Sequence, residues 1–202
     1  MTAAVGLDRL PRPVALLLGE AAGNLLAVSN RLDELLAGDR AALEAIVRGE
    51  GEGDRIVHDL VAVVGASRRD GPRRGPLIEL GQAIDDVLDA LEDVACSWHA
   101  RPVDEVAVLL LALRDGVREA AHAVASLEQP DQLGTWLARG RDRDDEIRRL
   151  NRAGRAWLLV EQPDTELAIR GHDLLERAEA LERACIRLRA RLHAMTLSSS
   201  GL

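Results

Sequence analysis

Leucine, alanine, valine and isoleucine recur every three or four positions along most of the chain, with polar residues between them. This spacing predicts amphipathic helices, because side chains at i, i+3 and i+4 share one face of a helix. Glycine, proline and polar turn sequences divide the pattern into six helices and indicate an all-α fold. The predicted helices are Val14–Ala37, Arg40–Val64, Leu77–Trp98, Asp104–Leu127, Asp131–Val160 and a last segment from Thr165 to about Met195.

The two halves of this pattern are related by an internal repeat. An offset of 91 residues, which is the separation of Asp54 and Asp145, also places Asp85 on Glu176. Six helices of similar length with short connections and a shared register favour two equivalent three-helix units. The expected architecture is one domain made of two pseudo-repeated antiparallel three-helix bundles, residues 1–101 and residues 102–202.

The composition excludes several classes of function. The chain has no lysine, which excludes a Walker phosphate loop and a Schiff-base nucleophile. A net charge of -8 argues against nucleic-acid binding, and the absence of Phe and Tyr removes most stacking platforms for single strands. No secretory signal pattern and no apolar run of about 20 residues is present, so we expect a cytoplasmic protein without a transmembrane segment.

Two pairs of acidic residues indicate a metal site in the first half. Glu50 and Asp54 lie four positions apart on the second predicted helix, and Asp85 and Asp89 have the same spacing on the third. Each pair occupies one face of its helix, and antiparallel packing of the two helices would bring all four carboxylates together. A buried group of this kind requires a cation, a shared proton or an arginine.

The second half carries a degenerate version of these four positions. The offset of 91 places Glu50 on Arg141 and Asp89 on Ala180, while Asp145 and Glu176 remain acidic. An arginine can neutralise two carboxylates by charge-assisted hydrogen bonds. We therefore expect Arg141 to form an ion-paired group with Asp145 and Glu176 in place of a second metal site.

Other interpretations of the acidic stretch are available. In a chain with 34 acidic residues, pairs four apart also arise on solvated helix faces, so a metal-free helical scaffold is one alternative. A calcium loop fails, because Arg55 stands where glycine is needed and Val61 where glutamate is needed. A metal-dependent phosphoester hydrolase is a further alternative, although no nucleophile–base motif accompanies the acids.

Three glycines at 49, 51 and 53 predict a kink in the second helix.

The motif Glu50-x-Glu52-x-Asp54-Arg55-Ile56-x-His58, followed by Asp85-Asp86-x-x-Asp89, resembles the PhoU-like phosphate transport regulators. It is most similar to the branch associated with Pit-type phosphate transporters. The resemblance spans about Leu17 to Leu192 and implies two three-helix bundles that hold metal clusters. The metal ligands that it implies are Glu50, Asp54, Asp85 and Asp89, with Glu52, His58 and Asp86 as nearby candidates.

The resemblance also implies a role and a set of partners. We expect a non-enzymatic, cytoplasmic, metal-binding regulator or accessory protein of inorganic phosphate transport. Its partner would be a phosphate transporter or phosphate-signalling protein, with peripheral membrane association through the transporter, and a homodimer is left open. Oxygen ligands suit magnesium, manganese, calcium or ferric iron, and zinc is also compatible, so the metal is not resolved.

Overall fold

A computed structural model describes residues 10–66, 74–100, 102–160 and 165–198. Six long helices account for nearly all of these residues, and no strand occurs among them. The fold is therefore all-α, as the hydrophobic spacing predicts. The helices are α1 (Arg12–Leu36), α2 (Ala42–Ala66), α3 (Arg74–Ala100), α4 (Asp104–Ala125), α5 (Pro130–Val160) and α6 (Thr165–Ser198).

The helix boundaries follow local signals in the sequence. A proline stands in the first turn of α1, where its missing N–H has no intrahelical partner to lose. Gly38 ends the turn after α1 with a φ of 100°, a backbone conformation that glycine adopts without steric cost. The kink predicted at glycines 49, 51 and 53 does not break α2, which is a single helix through all three positions.

The order of helix contacts places α2 and α5 at opposite sides of the molecule. Helix α2 packs on α1 and α3, and α5 packs on α4 and α6. The middle of the molecule is formed by the four remaining helices, through the pairs α1 with α3, α1 with α4, α3 with α6 and α4 with α6. Two three-helix units would produce these contacts, and the internal repeat itself remains a prediction.

Small and branched aliphatic side chains build one continuous core. All six helices contribute to it. Trp98 is the one buried tryptophan in the described part of the chain, and Trp136 and Trp157 are only partly buried. Side chains spaced at helical intervals face inward, as Leu18, Leu25 and Leu32 do on α1. Leucine and alanine allow helices to approach closely and interlock, so the core does not require large aromatic rings.

Arginines link the two halves on the outside of this core. Arg177, Arg187 and Arg191 of α6 form ion pairs with acids of α3 at 3.1, 3.0 and 2.8 Å. Asp33 of α1 is similarly paired with arginines of α4. None of the helices in the described part of the chain combines the length and the apolar character needed to cross a bilayer.

Candidate metal centre

The predicted acids of α2 and α3 meet along the seam between the two helices. Glu50, Asp54 and Asp89 each place a carboxylate oxygen within 4.8 Å of one oxygen from each of the other two. Asp85 lies next to this group, close enough to Asp54 for its carboxyl to donate a hydrogen bond to Asp54 when it is protonated. Glu50 likewise donates to Asp89 when protonated. The antiparallel register therefore sets Asp54 opposite Asp85 and Glu50 opposite Asp89.

A fifth carboxylate, Glu92, extends the group by one turn of α3. Burial raises the pKa of Glu50 first, and the charges of Asp54 and Glu92 add to the rise. Burial likewise raises the pKa of Glu92, with the charges of Asp93 and Asp89 contributing. Its position follows the spacing of Asp85 and Asp89 along the same face of α3, at i, i+4 and i+7. We call these five residues the acidic cluster: Glu50, Asp54, Asp85, Asp89 and Glu92.

The acidic cluster lies at the surface end of the α2–α3 seam and is not enclosed in the core. Glu50, Asp85 and Glu92 are partly buried, whereas Asp54 and Asp89 are exposed. This corrects the expectation of a buried group. The physical reason is that residues beside it on each helix, such as Ile56 and Leu88, occupy the inward face and leave the carboxylates on its edge.

Close helix packing brings the acids within reach of one another. Gly53 precedes Asp54, and a methyl group at Gly53 would overlap the Cδ1 atom of Leu88 on α3. Asn24 of α1 donates a hydrogen bond to the carbonyl oxygen of Gly49 at 2.7 Å, next to Glu50. Gly49 and Gly53 therefore allow close packing of α2 on its neighbours and produce no break in the helix, whereas Gly51 faces open space.

Burial and mutual repulsion make the ionised cluster costly. Burial raises the pKa of Asp85 to about 6, and the neighbouring charges of Asp54, Asp89 and Glu50 contribute to the rise. The pKa values of Glu50, Asp89 and Glu92 are raised by the same two causes, with burial first. The ordinary pKa of such groups lies near 4, so a cation would compete with protons for this site at mildly acid pH.

The acidic cluster is separated from the arginines that neutralise other acids of α2 and α3. No arginine or histidine among the described residues forms an ion pair with any of its five members. Every other described acid on these two helices has an arginine partner. These paired acids are Glu44, Glu52, Asp59, Glu79, Asp86 and Asp93.

Three nearby candidates from the sequence lie away from the cluster. Glu52 accepts hydrogen bonds from Arg55 at 2.6 and 3.0 Å, on another face of α2. Asp86 accepts from Arg187 of α6 at 3.0 Å. His58 is exposed and does not belong to the group of converging ligand atoms. The structure thus brings Glu50, Asp54 and Asp89 together with Asp85 beside them, and it pairs Glu52 and Asp86 with arginines.

The ion-paired group predicted in the second half is not formed. Asp145 accepts a hydrogen bond from Arg148 at 2.6 Å, one turn along the same helix, and Glu176 lies 3.2 Å from His172. Neither acid is paired with Arg141. These local partners are reached without ordering side chains across two helices, which explains why they replace the predicted interaction.

Different residues carry the charge pairing between α5 and α6. Arg189 of α6 donates a hydrogen bond to Asp144 in the interior, and Arg155 pairs with Glu179 at 2.5 Å. Ala180 lies partly buried beside them and offers no ligand. The α5–α6 contact therefore has arginine–carboxylate pairs, whereas the described acids of the α2–α3 seam meet one another without an arginine between them.

Comparison of the chain with models of known protein families gives no match, and comparison with curated proteins gives none either.

Proposed function

We propose that the chain binds a metal ion at the acidic cluster and acts as a regulatory or accessory protein of inorganic phosphate transport. The observation that carries the metal assignment is the contrast in pairing on α2 and α3. Acids outside the cluster have arginine partners, and the five inside it have none among the described residues. A bound cation would supply the missing positive charge.

The geometry of the cluster suits an oxygen-ligated cation. A metal such as calcium lies about 2.3–2.6 Å from each ligand oxygen, so two of its ligands lie at most about twice that distance apart. The 4.8 Å limit on the Glu50, Asp54 and Asp89 oxygens meets this requirement. Asp85 neighbours Asp54, and Glu92 lies near Glu50 and Asp89, so both are candidates for additional ligands.

The regulatory role rests on the resemblance of the α2 and α3 motifs to the PhoU-like proteins. The all-helical architecture and the convergence of Glu50, Asp54, Asp85 and Asp89 support it. In this proposal the metal ties α2 to α3 and stabilises one arrangement of the surface that these two helices form. The protein then acts through contact with a cytoplasmic face of a transporter or signalling partner, and no reaction is assigned to it.

Metal content tests the first part of the proposal. The protein is purified without chelator and analysed by inductively coupled plasma mass spectrometry. We expect metal in simple stoichiometry in the wild type and its loss in the double variant Asp54→Asn, Asp89→Asn. The matched control is Glu52→Gln with Asp86→Asn, which makes the same change of charge on the same helices at acids already paired with arginine. If the wild-type protein neither retains metal on purification nor binds metal that is added to it, the metal assignment is wrong and the metal-free scaffold is the remaining interpretation.

Phosphate uptake tests the second part separately. In cells that express a phosphate permease, deletion of the protein should change the rate of phosphate uptake, and the control variant should restore it better than the cluster variant. Metal binding with unchanged uptake would contradict the regulatory role and leave the metal site standing. Turnover of phosphoesters that the cluster variant lacks would favour the hydrolase alternative.

A further inference from the structure

A groove between α5 and α6 is lined by polar side chains, none of which belongs to the acidic cluster. Its volume is about 290 Å³. Two of its lining residues, Asn151 and Glu182, are buried, with exposed fractions of 5% and 8%. The lining residues are Arg148, Asn151, Arg152, Arg155, Glu179 and Glu182.

Glu182 is an acceptor without a donor in this groove. No residue in the described part of the chain donates a hydrogen bond to Glu182 or forms an ion pair with it. Burial raises the pKa of Glu182, and the charge of Arg148 acts in the opposite direction. The Glu182 carboxylate therefore presents the groove with an acceptor that has no donor among the described residues, and a ligand that brings a donor into the groove would pair it.

The same groove also contains hydrogen-bond donors that lack an acceptor among the described residues. The Oδ1 atom of Asn151 accepts a hydrogen bond from Arg155 Nε at 3.2 Å, so its Nδ2 amide is still available as a donor at the groove. No described residue accepts from that amide. Arg152 is exposed and forms no ion pair within the described residues. Arg155 and Arg148 are already paired, with Glu179 at 2.5 Å and Asp145 at 2.6 Å.

A ligand that completes these bonds must accept from Asn151 and Arg152 and donate to Glu182. We propose that the α5–α6 groove binds hydrogen phosphate, a tetrahedral oxyanion that carries a proton. Its charged oxygens accept from the Arg152 guanidinium and the Asn151 amide, and its P–O–H group donates to the Glu182 carboxylate. A groove of this volume holds a five-atom oxyanion together with hydration waters.

The retained proton distinguishes phosphate from sulfate. Sulfate has a similar shape and the same arginine-binding geometry, but it carries no proton near neutral pH. A sulfate oxygen at the Glu182 position would face a carboxylate oxygen with no hydrogen between them, and this contact is repulsive. The inference stands apart from the proposed regulatory function, since it depends only on α5 and α6 and needs no metal.

Calorimetric titration of the metal-free full chain tests the proposal, with inorganic phosphate and sulfate as the probes at equal ionic strength. We expect phosphate to bind about tenfold or more tightly than sulfate, because a hydrogen bond to a charged group is at stake. Equal binding of the two anions would overturn the role of Glu182. Absence of phosphate binding would overturn the site.

Variants assign the binding to this groove. Glu182→Gln should weaken phosphate binding and bring the phosphate-to-sulfate ratio towards one, because glutamine does not repel sulfate. Arg152→Gln should weaken both anions about tenfold. Arg149→Gln is the matched control, since Arg149 is an exposed arginine of the same helix that does not line the groove. An equal loss in the Arg149 and Arg152 variants would show a general charge effect and contradict the proposal.

Discussion

Individual carboxylates are held in the acidic cluster by apolar neighbours that pack more strongly than the acids repel. Ile56, Leu60, Ile84 and Leu88 flank the cluster on α2 and α3, and each is at most 2% exposed. Burying one such side chain contributes about 1.5–3 kcal/mol, whereas partly solvated charges near a protein surface interact more weakly. The helices therefore pair despite the local excess of negative charge.

Asp85→Asn is expected to stabilise the metal-free protein at neutral pH. Asp85 has a pKa of about 6 in the fold against an ordinary value of 3.8, so between these values the folded chain binds more protons than the unfolded chain. Stability from this group consequently falls as pH rises through that range. Asparagine keeps a donor to Asp54 without the charge, so the advantage of the variant should be largest above pH 6 and vanish near pH 3.8.

Thermal unfolding in chelator, followed by circular dichroism across this pH range, measures the effect. Under saturating metal the order should reverse, because the variant loses a ligand and ligand binding stabilises the folded state. A metal-free Asp85→Asn protein that is less stable than the wild type at neutral pH would contradict the electrostatic account of the cluster.

The glycines of α2 should respond to alanine in opposite directions. Gly51 is exposed with open space around it, so Gly51→Ala should stabilise the protein by about 0.5–1 kcal/mol through helix propensity. At Gly53 the added methyl group meets Leu88, and overpacking of this kind costs about 1–3 kcal/mol. Gly53→Ala should therefore be destabilising on balance.

Urea denaturation gives both free energies of unfolding. Gly53→Ala should also weaken metal binding, because relief of the overlap moves α3 away from Asp54, and Gly51→Ala serves as its control. Equal stability changes in the two variants would show that Gly53 has no packing role.

The helix pairs α2–α3 and α5–α6 differ in the charged side chains at their contact. Helices α2 and α3 collect carboxylates at the edge of their seam, whereas α5 and α6 place Asp144 and Arg189 inside it, with side chains 12% and 7% exposed. Gly140 gives Arg189 room, since a methyl group there would overlap its Cδ atom. The α5–α6 contact therefore depends on a matched pair, and the α2–α3 contact is open to a cation.

Removing Arg189 should be far more damaging than removing an exposed arginine. Arg189→Met leaves the buried Asp144 carboxylate without its partner and should lower the free energy of unfolding by about 3–5 kcal/mol. Adding Asp144→Leu to that variant should recover part of the loss.

The control is Arg31→Met, which breaks the exposed Arg31–Glu34 pair and should change stability by about 1 kcal/mol or less. Urea denaturation measures all four proteins. A loss in Arg189→Met no larger than that in the control would show that Asp144 is solvated after all.

The molecule as a whole should unfold as one unit, because its two halves share a core. The contacts α1 with α4 and α3 with α6 join the halves through the same continuous apolar cluster. Trp98 reports on α3, and Trp136 and Trp157 report on α5. In the variant Trp136→Phe, Trp157→Phe and in the variant Trp98→Phe, the urea midpoint from fluorescence should equal the midpoint from far-UV circular dichroism.

Separated midpoints in either variant would indicate that the halves unfold independently. Such a result would favour two domains and contradict the single cooperative unit that the shared core implies.

The amino-acid sequence alone predicts the number, the type and the approximate limits of the helices. Helical hydrogen bonds join residues four apart, and burial of one face appears directly as a hydrophobic period, so the signals are local. The pairs Glu50 with Asp54 and Asp85 with Asp89 were visible for the same reason. Glu92 has the same kind of spacing at the next turn of α3, but no second acid on α2 pairs with it in the sequence pattern.

The partners of these side chains depend on contacts between helices, which sequence spacing does not specify. Asp86 and Glu52 carry the same charge as the cluster acids, and they differ only in facing Arg187 and Arg55. The repeat points to Asp145, but Asp144 is the acid that faces the interior, because adjacent residues on a helix lie about 100° apart and only one of the two can point inward. Rotation and register about each helix axis are fixed by packing across the whole core, and they decide which charges meet a counter-charge and which are left for a ligand.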